Sequence, residues 1–111
     1  MSIQVQEITE AQLIGTWRCA DAGFTCDWTF CSDGTFQGDV ISWDKSFSKP
    51  TGRWRIRGAE LRYTYTGDEC HIIRAGKRGS DTLLEVTEDY FVIETKKGIK
   101  RKYVRVRPTE T

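Results

Sequence analysis

The sequence predicts an all-β domain, an antiparallel meander preceded by one short helix. Two observations carry the prediction, and a third places the helix. From about residue 16 to 106, apolar and polar residues alternate with period two, as they do along half-buried strands. Gly or Asp breaks the alternation roughly every eight to twelve residues, the turn spacing of a sandwich or barrel. A helix start is legible at "ITEAQL", residues 8–13.

In that stretch Thr9 is placed to cap, Gln12 closes a capping box three residues on, and Ile8 and Leu13 form a hydrophobic staple. Gly15 supplies a C-terminal stop, so the helix is expected over 9–14. Strands are expected near 16–21, 24–31, 35–42, 52–57, 60–66, 82–87, 90–95 and 99–106, with "CHIIR" (70–74) a further strand or an extension of its neighbour. Turns fall at Ala22-Gly23, Ser32-Asp33-Gly34, Gly58-Ala59, Glu88-Asp89 and Lys97-Gly98. Outside "WDKSFSKPT" and the segment 67–81 the connections are short, so sequential strands pair.

The stretch "GRWRIRGAELRYTY", residues 52–65, packs four arginines and three aromatics into fourteen residues. A single-strand nucleic-acid platform needs stacking aromatics beside a basic track on one face. Strand parity separates them instead. Trp54 and Ile56 point one way and Arg53, Arg55 and Arg57 the other, while Leu61, Tyr63 and Tyr65 share a face on the next strand. A two-residue turn at Gly58-Ala59 sets Trp54 across from Tyr63 and Arg55 across from Arg62. Nucleic acid is therefore disfavoured as a partner. The same parity turns Trp17 and Cys19, then Phe24, Cys26, Trp28 and Phe30, then Phe36, Gly38 and Val40 inward. With Ala22-Gly23 as the turn, Cys19 falls opposite Cys26 and Trp17 opposite Trp28. Cys19–Cys26 is the pair to expect if a disulfide forms, and a directly opposed pair is equally two buried thiols.

At 111 residues the chain is a single domain with one core. No apolar run approaches the roughly 18 residues of a membrane span. The opening "MSIQVQEITEAQ" has neither the basic start nor the apolar stretch of a secretory signal. Composition leaves the compartment open between the cytoplasm and an exported location with its signal removed. Charge is lopsided: residues 1–44 hold seven acids and one base, and residues 45–111 hold sixteen bases and nine acids. Either the halves lie side by side in a sheet, with Asp27 and Asp39 facing arginines, or a basic patch meets an acidic partner. The four cysteines lack the close pairs of zinc knuckles and ribbons, so no metal site is expected.

Five stretches then carry a resemblance. "LIGTWRC", "WTFCSDGTFQGDV", "GRWRIRGAELRYTY", "EVTEDYFVIET" and "KYVRVR", in that order from Leu13 to Arg107, resemble the small bacterial lipocalin-like domains. The resemblance implies an antiparallel meander β-barrel of about eight strands over residues 15–107, closed at one end by the short N-terminal helix. It implies that Trp17, of the Gly-x-Trp motif, lies at the barrel base under a basic side chain. Arg105 is expected there, with Arg107 of the same parity as runner-up. The first and last strands of such a barrel must pair.

Catalysis is not expected. His71 and Cys70 are adjacent, which on a strand puts them on opposite faces, and no phosphate loop or zinc-hydrolase motif is present. No cofactor is implied. Two binding functions remain. In one, which the resemblance favours, the interior takes a small apolar or aromatic molecule, lined by Trp28, Phe36, Trp54, Tyr63 and Tyr65. These bulky residues leave little free volume, but the tyrosine hydroxyls need partners and could tip a small polar-ended pocket. In the other, the rim recognises a protein, as an inhibitor, immunity or assembly protein would, through the loop aromatics Trp43 and Phe47. The closing "KKGIKRKYVRVR" carries seven bases in twelve residues, a solvated outer face or a complement to an acidic partner.

Overall fold

The computed structural model of the protein describes residues 8–21, 24–42 and 45–107. Among these lie one helix, α1 (Glu10–Leu13), and nine strands: β1 (Gly15–Asp21), β2 (Phe24–Phe30), β3 (Thr35–Ser42), β4 (Lys45–Ser48), β5 (Pro50–Arg57), β6 (Glu60–Asp68), β7 (Arg78–Val86), β8 (Tyr90–Glu94) and β9 (Lys100–Val106). The helix forms where capping dictates. Thr9 N–H donates to Gln12 Oε1 at 2.8 Å, and Ile8 and Leu13 both join the core.

All pairings are antiparallel. The sheet order β2-β1-β9-β8-β7-β6-β5-β3-β4, with β2 also pairing β3, brings the two ends of the sheet together and closes the barrel. β4 and β5 share one position beside β3: Val40 pairs with Ser48, and Gln37 with Thr51. They form one broken strand, interrupted beside Pro50, which has no N–H for the ladder. Nine segments thus make eight staves. The hairpin registers expected from parity are the ones found, with Trp17 opposite Trp28, Arg55 opposite Arg62 and Trp54 opposite Tyr63. Arg18 on the outer face makes a paired contact with Asp27 across β1–β2, at 2.8 and 2.9 Å.

Three expectations need correction. "CHIIR" is not a strand but a turn wound around Asp68. That carboxylate accepts from Ser48 Oγ and from the backbone N–H groups of Lys49, Cys70 and Ile73, at 2.5–3.1 Å. Burial acts to raise its pKa, yet these donors together bring it down to about 2. The turn places exposed His71 at φ 60°, and among the described residues no hydrogen bond joins the Cys70 and His71 side chains. β7 begins at Arg78 rather than near 82, and part of "WDKSFSKPT" is strand β4. Cys19 and Cys26 stand opposite each other in the β1–β2 register, and both are buried.

One end of the barrel is plugged. Trp17 is fully buried, and its ring lies under the Arg105 guanidinium, 4.1 Å from its centre. Trp17 and Arg105 face each other in the β1–β9 pairing that closes the sheet. Arg105 also donates to the carbonyls of Gln12 (3.2 Å), Ile14 (2.9 Å) and Glu88 (2.6 Å), and Trp17 Nε1 donates to Leu13 O at 2.8 Å. The carbonyls that end α1 are thereby satisfied by β1 and β9 side chains. Gly15 makes room, because a Cβ there would meet Arg105 Nη1 at 2.6 Å. Arg107 pairs instead with Asp89 on the surface.

Trp17→Ala should destabilise by about 3–5 kcal/mol. Arg105→Ala should cost more than the roughly 0.5–2 kcal/mol of a cation–π contact, since three carbonyls lose their donor. Chemical denaturation of both single variants and the double variant should give a coupling of about 1 kcal/mol or more. A coupling near zero would mean that the two side chains do not act together at the base.

Candidate functional site

Above the plug the interior is aromatic, and its rings are laid against the wall. Trp28 lies over Gly38, Phe36 over Gly52 and Tyr63 over Gly79, each aromatic directly opposite its glycine in the strand register. A Cβ at any of the three glycines would overlap the ring. Glycine opposite a large aromatic lets the ring fold flat across the neighbouring strand instead of projecting to the axis. That spacing keeps a lumen open in a barrel otherwise just wide enough to fill with side chains.

The resulting cavity has a volume of about 80 Å³ and is lined by Trp28, Phe30, Phe36, Leu61, Tyr63, Tyr65, Asp81, Phe91, Ile93 and Tyr103. Its walls interlock edge to face: Phe36 and Tyr65 at 5.6 Å, Tyr63 and Tyr65 at 5.6 Å. Tyr103 stacks on Phe91 at 4.9 Å. Four of the five residues expected from sequence to line a pocket, Trp28, Phe36, Tyr63 and Tyr65, meet here. Trp54 does not. It is buried against Phe30 at 4.9 Å and donates from Nε1 to Cys31 O at 3.2 Å, so it belongs to the packed core outside the lumen. Trp43 lies outside the described residues, and Phe47 falls in β4 with only its backbone described.

Asp81 is the residue that strand reading missed. With β7 starting at Arg78, Gly79, Asp81 and Leu83 share the inward face, and Asp81 enters an aromatic lumen. Its Oδ2 accepts a hydrogen bond from Tyr63 OH at 3.2 Å. Among the described residues no lysine or arginine nitrogen reaches it within 4 Å; Arg101 and Lys96 act on it from farther away. Burial raises its pKa above the ordinary carboxylate value, against the Tyr63 hydrogen bond and the two cations. Burial also raises all three lumen tyrosines, Tyr65 to about 12, and the Asp81 charge adds to it. The phenols stay protonated and available as donors. Tyr103 was legible by parity, since a strand that turns Arg105 inward turns Tyr103 inward too. Asp81 had a weaker signal, the Gly-x-Asp-x-Leu alternation, masked by turn-like "RGSD".

A carboxyl whose pKa is raised on folding favours the fold only in its protonated form. Its contribution is full below about pH 4, the ordinary value, and is lost as pH rises through the higher folded value. Asp68, held low, works in the opposite sense at the acid end. Comparing Asp81→Asn with wild type isolates the Asp81 share. The variant should equal or exceed wild type in stability at pH 7, by less than about 1 kcal/mol because solvent screens a half-exposed group. Its advantage should vanish at acid pH. Thermal melts across pH check this, and a variant clearly less stable at pH 7 would contradict it.

Among solved structures, the chain is similar to a lipocalin-like protein from Bacteroides uniformis, with a TM-score of 0.64 over 86% of this chain and 99% of that one, at 14% identity. No protein-family model matches the chain, and no curated protein matches it. A likeness at this identity is one of fold. The protein has a lipocalin-like fold, a closed antiparallel meander barrel with a short helix at its base.

Proposed function

We propose that this is a non-enzymatic binding protein whose barrel lumen takes up a small molecule with an apolar or aromatic body. The observation that carries the reading is the lumen itself. Glycines set opposite Trp28, Phe36 and Tyr63 keep open a space that larger residues would have filled. Apolar walls with a few convergent polar groups are the usual composition of a ligand site. Here the polar groups are the Tyr63, Tyr65 and Tyr103 hydroxyls and the Asp81 carboxylate, with the rings of Trp28, Phe36 and Phe91 as walls. At about 80 Å³, the space is far below the roughly 300–1,000 Å³ of drug-sized sites. The ligand is therefore a single small ring or a short chain, unless the walls part.

Titration with benzene, followed by methyl NMR, tests the reading. Saturable shifts are expected at Leu61 and Ile93, which line the lumen, with Ile72 and Ile99 on the surface unmoved. If benzene and other single-ring aromatics leave the Leu61 and Ile93 methyls unchanged, the lumen is not a binding site.

A further inference from the structure

Among the residues that line the cavity, Asp81 is the one that carries a charge. It sits among aromatic rings, takes one hydrogen bond from a tyrosine, and makes no direct ion pair with a described lysine or arginine. A carboxylate in such a place is unfavourable unless something compensates it. A filled aliphatic side chain would have closed this part of the wall more stably. An ammonium group is the chemistry that fits both halves of the site. It is attracted to the carboxylate as counter-ion and to the faces of aromatic rings by their quadrupole.

We propose that the lumen selects small organic cations, a primary ammonium carried on an aromatic or apolar body, with Asp81 as the counter-ion and Tyr63, Tyr65 and Tyr103 as its aromatic and hydroxyl surround. This rests on the reading that the lumen binds small molecules and names their class. Tyr63 has two tasks. Its hydroxyl holds Asp81 in place, and its ring, folded over Gly79, forms part of the wall. Tyr63 donates to Asp81, and the phenol oxygens of Tyr65 and Tyr103, which line the same cavity, are acceptors for an ammonium. Arg101 lies across the β8–β9 ladder from Ile93, and Lys96 follows the end of β8. Both temper the Asp81 charge without reaching it. They set the opposing prediction: if they govern the site, it selects anions.

Three probes with one body and different charge separate these outcomes: 2-phenylethylamine, 2-phenylethanol and phenylacetate, titrated by calorimetry into the intact chain at neutral pH. The amine should bind wild type at least about tenfold tighter than the alcohol, and phenylacetate weakest, as expected for a charge-assisted hydrogen bond worth more than a neutral one. Asp81→Asn should remove the amine's advantage over the alcohol. The wild-type comparison needs no variant to fold. Alcohol and amine binding equally, or an amine affinity indifferent to Asp81→Asn, overturns the cation inference while leaving lumen binding intact. Tightest binding of phenylacetate assigns the site to Arg101 and Lys96 and overturns it also. If none of the three binds, both the inference and the lumen reading on which it rests fall.

Discussion

The barrel depends on one side chain at its base. Arg105 lies over Trp17 and spans three backbone carbonyls, two of them at the end of α1 and the third, Glu88, in the β7–β8 turn. With Trp17 Nε1 on Leu13 O, the carbonyls of three consecutive residues, Gln12, Leu13 and Ile14, find donors on two different strands. A helix of four residues has no intrinsic stability. It is held as a plug because the strands that close the sheet also close its hydrogen bonds. Sheet closure and end closure are thus one event, and the seam between β1 and β9 is where it is fixed. Only glycine at position 15 lets the guanidinium come so near.

With one end sealed, the other half of the interior is free to be something other than core. Packing alone would fill it. Instead, three aromatics lie flat over cross-strand glycines, and an acid stands among them. Glycines weaken strands, and a partly desolvated carboxyl weakens a fold at neutral pH. A natural sequence that departs from stable packing in one place tends to do so at a functional site. The departures here coincide in one lumen, while the base obeys every packing rule. That contrast between the two halves is the physical basis for reading the lumen as the site.

Strand parity carried most of the fold into view. The pairings of Trp17 with Trp28 and of Trp54 with Tyr63 follow from two-residue turns alone, and so does the segregation of the arginines to the outer face. The capping box and staple located the helix because that signal is local. The pocket was less legible. Trp54 has inward parity like Tyr63, and parity does not say how far along the barrel axis a residue lies. Trp54 packs against Phe30 outside the lumen, while Tyr63, its cross-strand partner, lines it. Asp81 was hidden because Gly, Ser and Asp in sequence read as a turn, and only pairing with β6 makes them strand. The "CHIIR" stretch misled in the opposite direction, since its apolar residues sit in a turn organised by a single aspartate.

The central claim is that the barrel is closed at its base and keeps an unfilled apolar lumen beside Asp81. Crystals held under xenon pressure test it without reference to any ligand, because xenon enters apolar cavities and ignores filled ones. The account predicts a xenon site bounded by Trp28, Phe36, Tyr65 and Phe91, on the lumen side of Trp17. A barrel interior with no xenon, its rings swung to the axis and in contact with one another, would contradict it.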